Sequence, residues 1–341
     1  MNKTGIKTAL ICNDVPFYSG NVVDYVYGGE RLRKIALMSN FFPDRITSEN
    51  LDAELPKLRD VEVFFSCWGM LRLTPAQLDQ LPKLKAVFYA GGSVQGFAGP
   101  LLERGITVCN AVEANAIPVA EFCLGQILLS CKGAHKNSRL CRQGPWEHSA
   151  MPVGKGVYGE TIALLGIGAI SRYLLKLLKP FHLRVIAVSS YLTPEEANKM
   201  GIDALVSIEE AFRQGYVVSN HLANRPSNQG VLRREHFASM RADATFINTG
   251  RGAQVDEPGL LAVLEERPDL TALLDVQHPE PPERGSGLFN QSNVHMTSHI
   301  AGSVNDEVQR MADFMLADFR RWLNEEPLRY AVDPESFKGR A

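Results

Sequence analysis

The chain has no cysteine pair spaced CxxC, no HExxH, no low-complexity tract and no repeat of fixed period. Its six cysteines (Cys12, Cys67, Cys109, Cys123, Cys131 and Cys141) are scattered over 341 residues. That spread argues against the disulfide framework of a small secreted domain and leaves reduced thiols as the expectation. Charge of one sign is not in excess either, and the net charge is −2. Nothing electrostatic draws such a chain to nucleic acid or to an anionic membrane, so neither is expected as a partner. Long apolar runs are also scarce. The longest, Val119 to Cys131, is interrupted by Glu121 and Gln126 and falls short of the ~20 residues of a membrane span, which predicts a buried helix. The opening residues, MNKTGIKTALICNDV, move into a strand-like run without a signal peptide's apolar core or cleavage site. With the unpaired thiols, this gives a cytoplasmic protein as the expectation.

What is present is the composition of a globular protein, 45% apolar and 22% charged. The length suits two domains. Strand-like runs at 8–12, 61–66, 85–90 and 105–111 alternate with helical stretches, one of them at 74–81 with Thr74 as N-cap and Pro75 in the first turn. A second, more regular series starts near Gly159, with the runs TIALLG, RVIAVS, YVVSNH, TFINT, ALLDV and NVHMTS. Such alternation predicts an α/β chain with doubly wound parallel sheets. Ile170, Tyr173, Leu174, Leu177, Leu178 and Phe181 predict one apolar helix face. A last helix is expected from about Ser303, with Asp306 closing a capping box and a stripe from Val308 to Leu323. Because the regular series sits in the middle, that helix is expected to return to the first domain. The predicted division is residues 1–117 with 305–341, and an inserted domain at 118–304.

Four segments of the second half carry chemistry. LLGIGAIS at 164–171 follows a strand and opens a helix, the setting a dinucleotide pyrophosphate turn needs. Gly166 permits the tight turn and Gly168 the close backbone approach, while the amides of Ala169 and Ile170 point at phosphate. Ser171 stands where a third glycine is usual. Ser189 stands where an acid would bind the ribose of NAD, and no Arg or Lys that would suit the 2′-phosphate of NADP immediately follows the strand, so NAD is the expected cofactor with NADP as the alternative. Next, FINTGRGAQVD puts Arg251 in a turn with its guanidinium fork free for a carboxylate. LLDVQHPEPPE holds Glu280 between two prolines, and VHMTSHIAGS places His299 just past a strand. Taken singly, a turn arginine or a loop acid is ordinarily just solvated. The His295–His299 spacing lies in a β-like context, so no metal site is expected.

In this order the segments resemble the D-isomer-specific 2-hydroxyacid dehydrogenases, which include glyoxylate/hydroxypyruvate reductases, phosphoglycerate dehydrogenases and D-lactate dehydrogenases. INTGRGAQVDEPGLLAVL is similar to the family's Arg-Gly signature, LLDVQHPEP to its Asp-Val segment ending in Glu-Pro, and TSHIAGS to its Thr-Pro-His-Ile-Ala-Gly segment. VAEFCLGQILL and YAGGSV look like its interdomain helix and its carboxylate-binding loop. The resemblance implies two Rossmann-like or flavodoxin-like domains with the active site in the cleft between them, and a homodimer formed through the cofactor domain. It implies hydride transfer between NAD(P)H and the C2 carbonyl of a small 2-keto acid, with Arg251, Glu280 and His299 as catalytic residues. His299 would give the proton, Glu280 would orient its ring, and Arg251 would bind the carboxylate with the amides of Gly92, Ser93 and Val94. Asp275, His221, Thr249, Gly250 and Gly302 would line the cofactor site.

The departures are Ser171, Ser189, Ser298 in place of proline, Gly250 in place of alanine, and HLANRPSNQGVL against the usual His-x-Pro-x-Thr. Two alternatives follow from the same fold. One is a formate- or phosphite-dehydrogenase-like enzyme, against which Glu280 stands where formate dehydrogenases carry glutamine. The other is a non-catalytic NAD-sensing interaction protein. Trp68, Met70, Phe88 and Tyr89, with Trp146, are side chains that suit an apolar substrate group or the core.

Overall fold

Strands buried on both faces lose the in-out alternation of half-exposed sheets, and the central strands of this chain are of that kind. VFFSC at 63–67, AVFYA at 86–90 and TIALL at 161–165 are buried at every position. The computed structural model describes residues 5–147, 151–152 and 154–338; the first four residues of the signal-peptide reading lie outside them. The chain divides into two compact units, Met1–Asn115 with Ser303–Ala341, and Ala116–Gly302.

In the first unit the strands are β1 (Lys7–Leu10), β2 (Pro16–Phe17), β3 (Gly20–Asn21), β4 (Asn40–Phe41), β5 (Val63–Cys67), β6 (Ala86–Ala90) and β7 (Thr107–Asn110). All but the β2–β3 hairpin form one parallel sheet in the order β4-β1-β5-β6-β7. Setting the hairpin aside, this is the 2-1-3-4-5 order of flavodoxin-like sheets, whose direction of winding switches between β1 and β5. The helix Val308–Leu323 packs on β6 and buries Val308, Met311, Ala312, Met315, Leu316 and Phe319. Phe319 meets Phe65 and Phe88 with ring centroids 5.0 and 5.6 Å away. Phe88 is therefore core and Tyr89 is buried against Phe97, so neither is open to a ligand.

The last helix starts later than the sequence predicts. A 3₁₀ turn at Asn305–Glu307 precedes it, and Glu307, not Asp306, accepts from the Val304 amide at 3.0 Å. The Ser303 amide, which the expected box would give to Asp306, donates to Asn115 Oδ1 at 2.9 Å instead. Thr74 does cap Pro75–Asp79, in a reciprocal box with Gln77.

The second unit carries β8 (Thr161–Leu165), β9 (Arg184–Val188), β10 (Ala204–Leu205), β11 (Val217–Asn220), β12 (Thr245–Asn248), β13 (Thr271–Leu274) and β14 (Val294–Met296). They pair in parallel as β10-β9-β8-β11-β12-β13-β14. That is the dinucleotide-fold order, with its switch point between β8 and β11.

Two helices differ from their sequence readings. The apolar helix is Val112–Cys131, 20 residues rather than 13, because Glu113, Glu121 and Gln126 sit on it without ending it. It is long and apolar enough to cross a membrane by length and composition, and half of it is buried in the protein. Val119, Ala120, Cys123, Ile127 and Cys131 join the core of the second unit. The helix after the glycine turn, Ala169–Leu178, buries Ser171, Leu174, Leu175 and Leu178. Its buried face is thus rotated from the predicted one, leaving Ile170, Tyr173 and Leu177 half-exposed.

Candidate active site

The second unit assembles its functional groups in the loops that leave the C-terminal ends of its strands. Between β8 and the next helix, Gly166 has φ +87, and a methyl there would stand 2.9 Å from the carbonyl oxygen of His221. Only glycine fits both demands. Gly168 is the helix N-cap, has no side-chain cap hydrogen bond, and has open space where a Cβ would stand. The first-turn amides of Ala169 and Ile170 are therefore presented behind a bare backbone, which fits a dinucleotide phosphate. Ser171 is fully buried and its Oγ donates to the Gly166 carbonyl at 2.6 Å. The residue that looked like a damaged motif ties the turn to the helix.

Beside the turn lies a buried polar cluster. His221 is 7% exposed, with Nε2 2.9 Å from Ser219 Oγ and Nδ1 3.3 Å from Thr249 Oγ1. Burial pulls its pKa down to about 4, so the ring is neutral at ordinary pH. The ring faces its own unit, and what His221 turns to the glycine loop is its backbone. Asn220 donates to Asn248 Oδ1 at 2.9 Å and to Gln254 Oε1 at 2.8 Å, and Gln254 donates on to the carbonyls of Leu222 and Ala223. This lattice explains Gly250: a Cβ there would lie 2.6 Å from Gln254 Oε1 and 2.7 Å from Asn220 Nδ2.

Arg251 is exposed, with Nη1 donating to the Gly250 carbonyl at 2.6 Å. It enters no ion pair among the described residues, so most of its fork is available. Gly252 follows because a methyl there would come within 2.0 Å of the Gln277 backbone, so the loops after β12 and β13 are in direct contact. Gln277 fastens the second loop by donating to the Leu274 carbonyl at 2.9 Å.

His299 and Glu280 meet in these loops, Nδ1 to Oε1 at 2.6 Å, and both remain partly exposed. His299 has φ +59, a left-handed backbone that costs a non-glycine residue free energy. Asp275 holds it there. Asp275 is 2% exposed; its carboxylate accepts from Thr297 Oγ1 (2.6 Å) and the amides of Ile300 (2.8 Å) and Ala301 (3.0 Å), and its carbonyl from the His299 amide (3.0 Å). Asp275 thus pins the His299 turn. The sequence does not reveal Asn220, Asn248 and Gln254, because ordinary polar residues 28 to 34 positions apart carry no pairing signal.

Ser189, after β9, spends its Oγ as acceptor for the amides of Tyr191 (3.4 Å) and Leu192 (3.3 Å). Gly302 ends the second unit. In the first unit, beyond β6, Ser93 is exposed and Gly92 half-buried, Gly92 has no atom within 4 Å of a Cβ, and Val94 is buried in the core. No group of three or more His, Cys, Asp or Glu suited to a metal ion occurs among the described residues.

Residues 124–301, just over half of the chain, match the family model described as D-isomer specific 2-hydroxyacid dehydrogenase, NAD binding domain. Among curated relatives, the chain is 29% identical over 274 residues to a D-3-phosphoglycerate dehydrogenase of Methanocaldococcus jannaschii, covering 80% of this chain and 51% of that one. The chain spans about half the length of the curated relatives it matches. Among solved structures, a phosphoglycerate oxidoreductase from Rhizobium etli superposes with a TM-score of 0.79 at 19% identity, covering 98% of this chain and 99% of that one. A glyoxylate reductase from Paecilomyces thermophila gives a TM-score of 0.70 at 21% identity, covering 97% and 100%. At such identities these two likenesses show a shared fold.

Proposed function

The chain belongs to the D-isomer-specific 2-hydroxyacid dehydrogenase family, and from that premise we propose that it interconverts a 2-keto acid and its 2-hydroxy acid with NAD(P)H. The observation that carries the reading is the 2.6 Å contact of His299 Nδ1 with Glu280 Oε1. It leaves Nε2 free to hold a proton at the substrate oxygen, while Glu280 sets the ring's tautomer and angle. Arg251 binds the substrate carboxylate and keeps a fixed positive charge where the oxygen becomes negative. The amides of Gly92, Ser93 and Val94 complete that carboxylate site. Gly166, Gly168, Ala169 and Ile170 hold the pyrophosphate; Ser189, His221, Thr249, Gly250, Asp275 and Gly302 support the rest of the cofactor's site. When bound, the nicotinamide supplies or accepts the hydride.

Ser189 penalises neither ribose strongly, and no Arg or Lys immediately follows β9, so the preference is for NAD(H) with NADPH accepted. The unpaired cysteines support a cytoplasmic setting. The half-buried helix Val112–Cys131, with Leu129 exposed, supports a homodimer packed against its outer face. The test is steady-state turnover of glyoxylate, hydroxypyruvate and bulkier 2-keto acids with both cofactors. Protein that binds NADH but turns over none of them would defeat the reading.

A further inference from the structure

An open parallel sheet leaves a ligand crevice at the C-terminal edge of its switch point, which in the first unit lies between β1 and β5. The loops there are aromatic. Leu10 pairs with Phe65 and Cys67 with Ala90, so the segment after β1 runs beside Trp68, and Trp68 runs beside Gly91 at the start of the Gly92–Val94 turn. Gly69 makes the first contact close. Its φ is +107, and a methyl there would stand 2.9 Å from both Asn13 O and Val15 Cγ2. The Asn13 amide donates to the Gly69 carbonyl at 2.9 Å.

On that support the rings of Phe17 and Trp68 lie 5.8 Å apart, Phe17 and Tyr25 5.2 Å, and Phe17 and Tyr18 4.5 Å. Phe17, Tyr25, Trp68 and Met70 pack with one side against the core, and Tyr18 stands outside it. Tyr18 is 57% exposed, while Trp68 and Met70 are half-buried. Arg45 is paired with Asp14, which removes one cation from this edge. Arg72 lies along Gly96. Adjacent strands are about 4.8 Å apart, so the rings begin one strand away from the carboxylate turn.

We propose that Trp68, Met70 and the Phe17–Tyr18 hairpin read the C3 substituent of the substrate, which is a 2-keto acid with an aromatic or similarly bulky apolar side chain. This rests on the reading that the Gly92–Val94 amides hold the substrate carboxylate. Rings of this kind gain affinity by burying apolar area against a flat partner, and they offer nothing to a second anionic group.

The test compares kcat/KM for phenylpyruvate, glyoxylate, hydroxypyruvate and oxaloacetate. Phenylpyruvate is expected to exceed glyoxylate on the order of a hundredfold. If glyoxylate or oxaloacetate is preferred, the proposal fails while the dehydrogenase reading stands. If none of the four turns over, that reading fails and takes the proposal with it. Tyr18→Ala, at an exposed position, and Trp68→Leu are each expected to lower the phenylpyruvate-to-glyoxylate ratio roughly tenfold. Thermal unfolding checks that both remain folded. An unchanged ratio in the folded variants overturns the proposal.

Discussion

The strand ends of the two sheets are built from opposite materials. In the second unit they are polar and saturated: Asn220, Asn248 and Gln254 bond one another, and Asp275 accepts from three groups at once. In the first they are rings and thiols: Trp68, Phe17 and the buried pair Cys12 and Cys67, whose Sγ atoms are 3.5 Å apart. All seven histidines among the described residues lie in the second unit. Hydrogen bonds fix angles, and proton transfer needs a fixed angle; apolar packing fixes shape and tolerates small displacements. As proposed, proton transfer falls to the polar strand ends and side-chain recognition to the aromatic ones, and each experiment below loads one side of that division.

The largest effect is expected from His299→Asn. Removing the proton donor should lower kcat/KM by about a hundredfold to ten-thousandfold, and by the same factor for every 2-keto acid tested. NADH affinity, measured by fluorescence titration, should stay within about twofold. A loss that depends on the substrate's side chain would place recognition in the second unit and break the division.

Next in size is Asp275→Ala. It leaves the buried amide of Ala301 and the partly buried amide of Ile300 without an acceptor, each costing roughly 1–3 kcal/mol. Denaturant unfolding should register a loss of about 4 kcal/mol, with Asp275→Asn recovering part of it through its remaining carbonyl oxygen. A loss below about 1 kcal/mol would mean that the His299 turn holds its left-handed backbone unaided.

How much of this could be read beforehand follows the same division. Strands buried on both faces announce themselves as apolar runs, and the glycine turn and the Arg251, Glu280 and His299 loops carry short local patterns. Ser171 departs from the glycine motif, yet its hydroxyl closes the turn, a contact that hydropathy cannot express. The rotation of the helix Ala169–Leu178 follows from it, since a serine with a buried partner joins the buried face. Ser303 with Asp306 is a local pattern, but the Ser303 amide is taken by Asn115, 188 positions away, a partner no local pattern reveals. The Asn220–Gln254 lattice is non-local, and its one trace in the sequence is Gly250, legible only once the crowding around it is known.

The smallest effect is also the most selective. Burial pulls the pKa of His221 down to about 4 and that of His295 to a similar value, and lowers that of His135. A histidine depressed in the folded state is protonated first in the unfolded chain, so its contribution to stability is complete above pH 6.5. That contribution drains away as pH falls toward 4. For His221 alone the loss between pH 6.5 and 5 is about 2 kcal/mol. Because these three histidines are in one unit, amide exchange at pH 5 should lose protection across 161–301 before it does so across 7–110. His221→Gln should flatten that dependence at the cost of some stability at pH 7. Equal loss of protection in both units would show that they unfold as one, and that the contrast between their strand ends does not extend to stability.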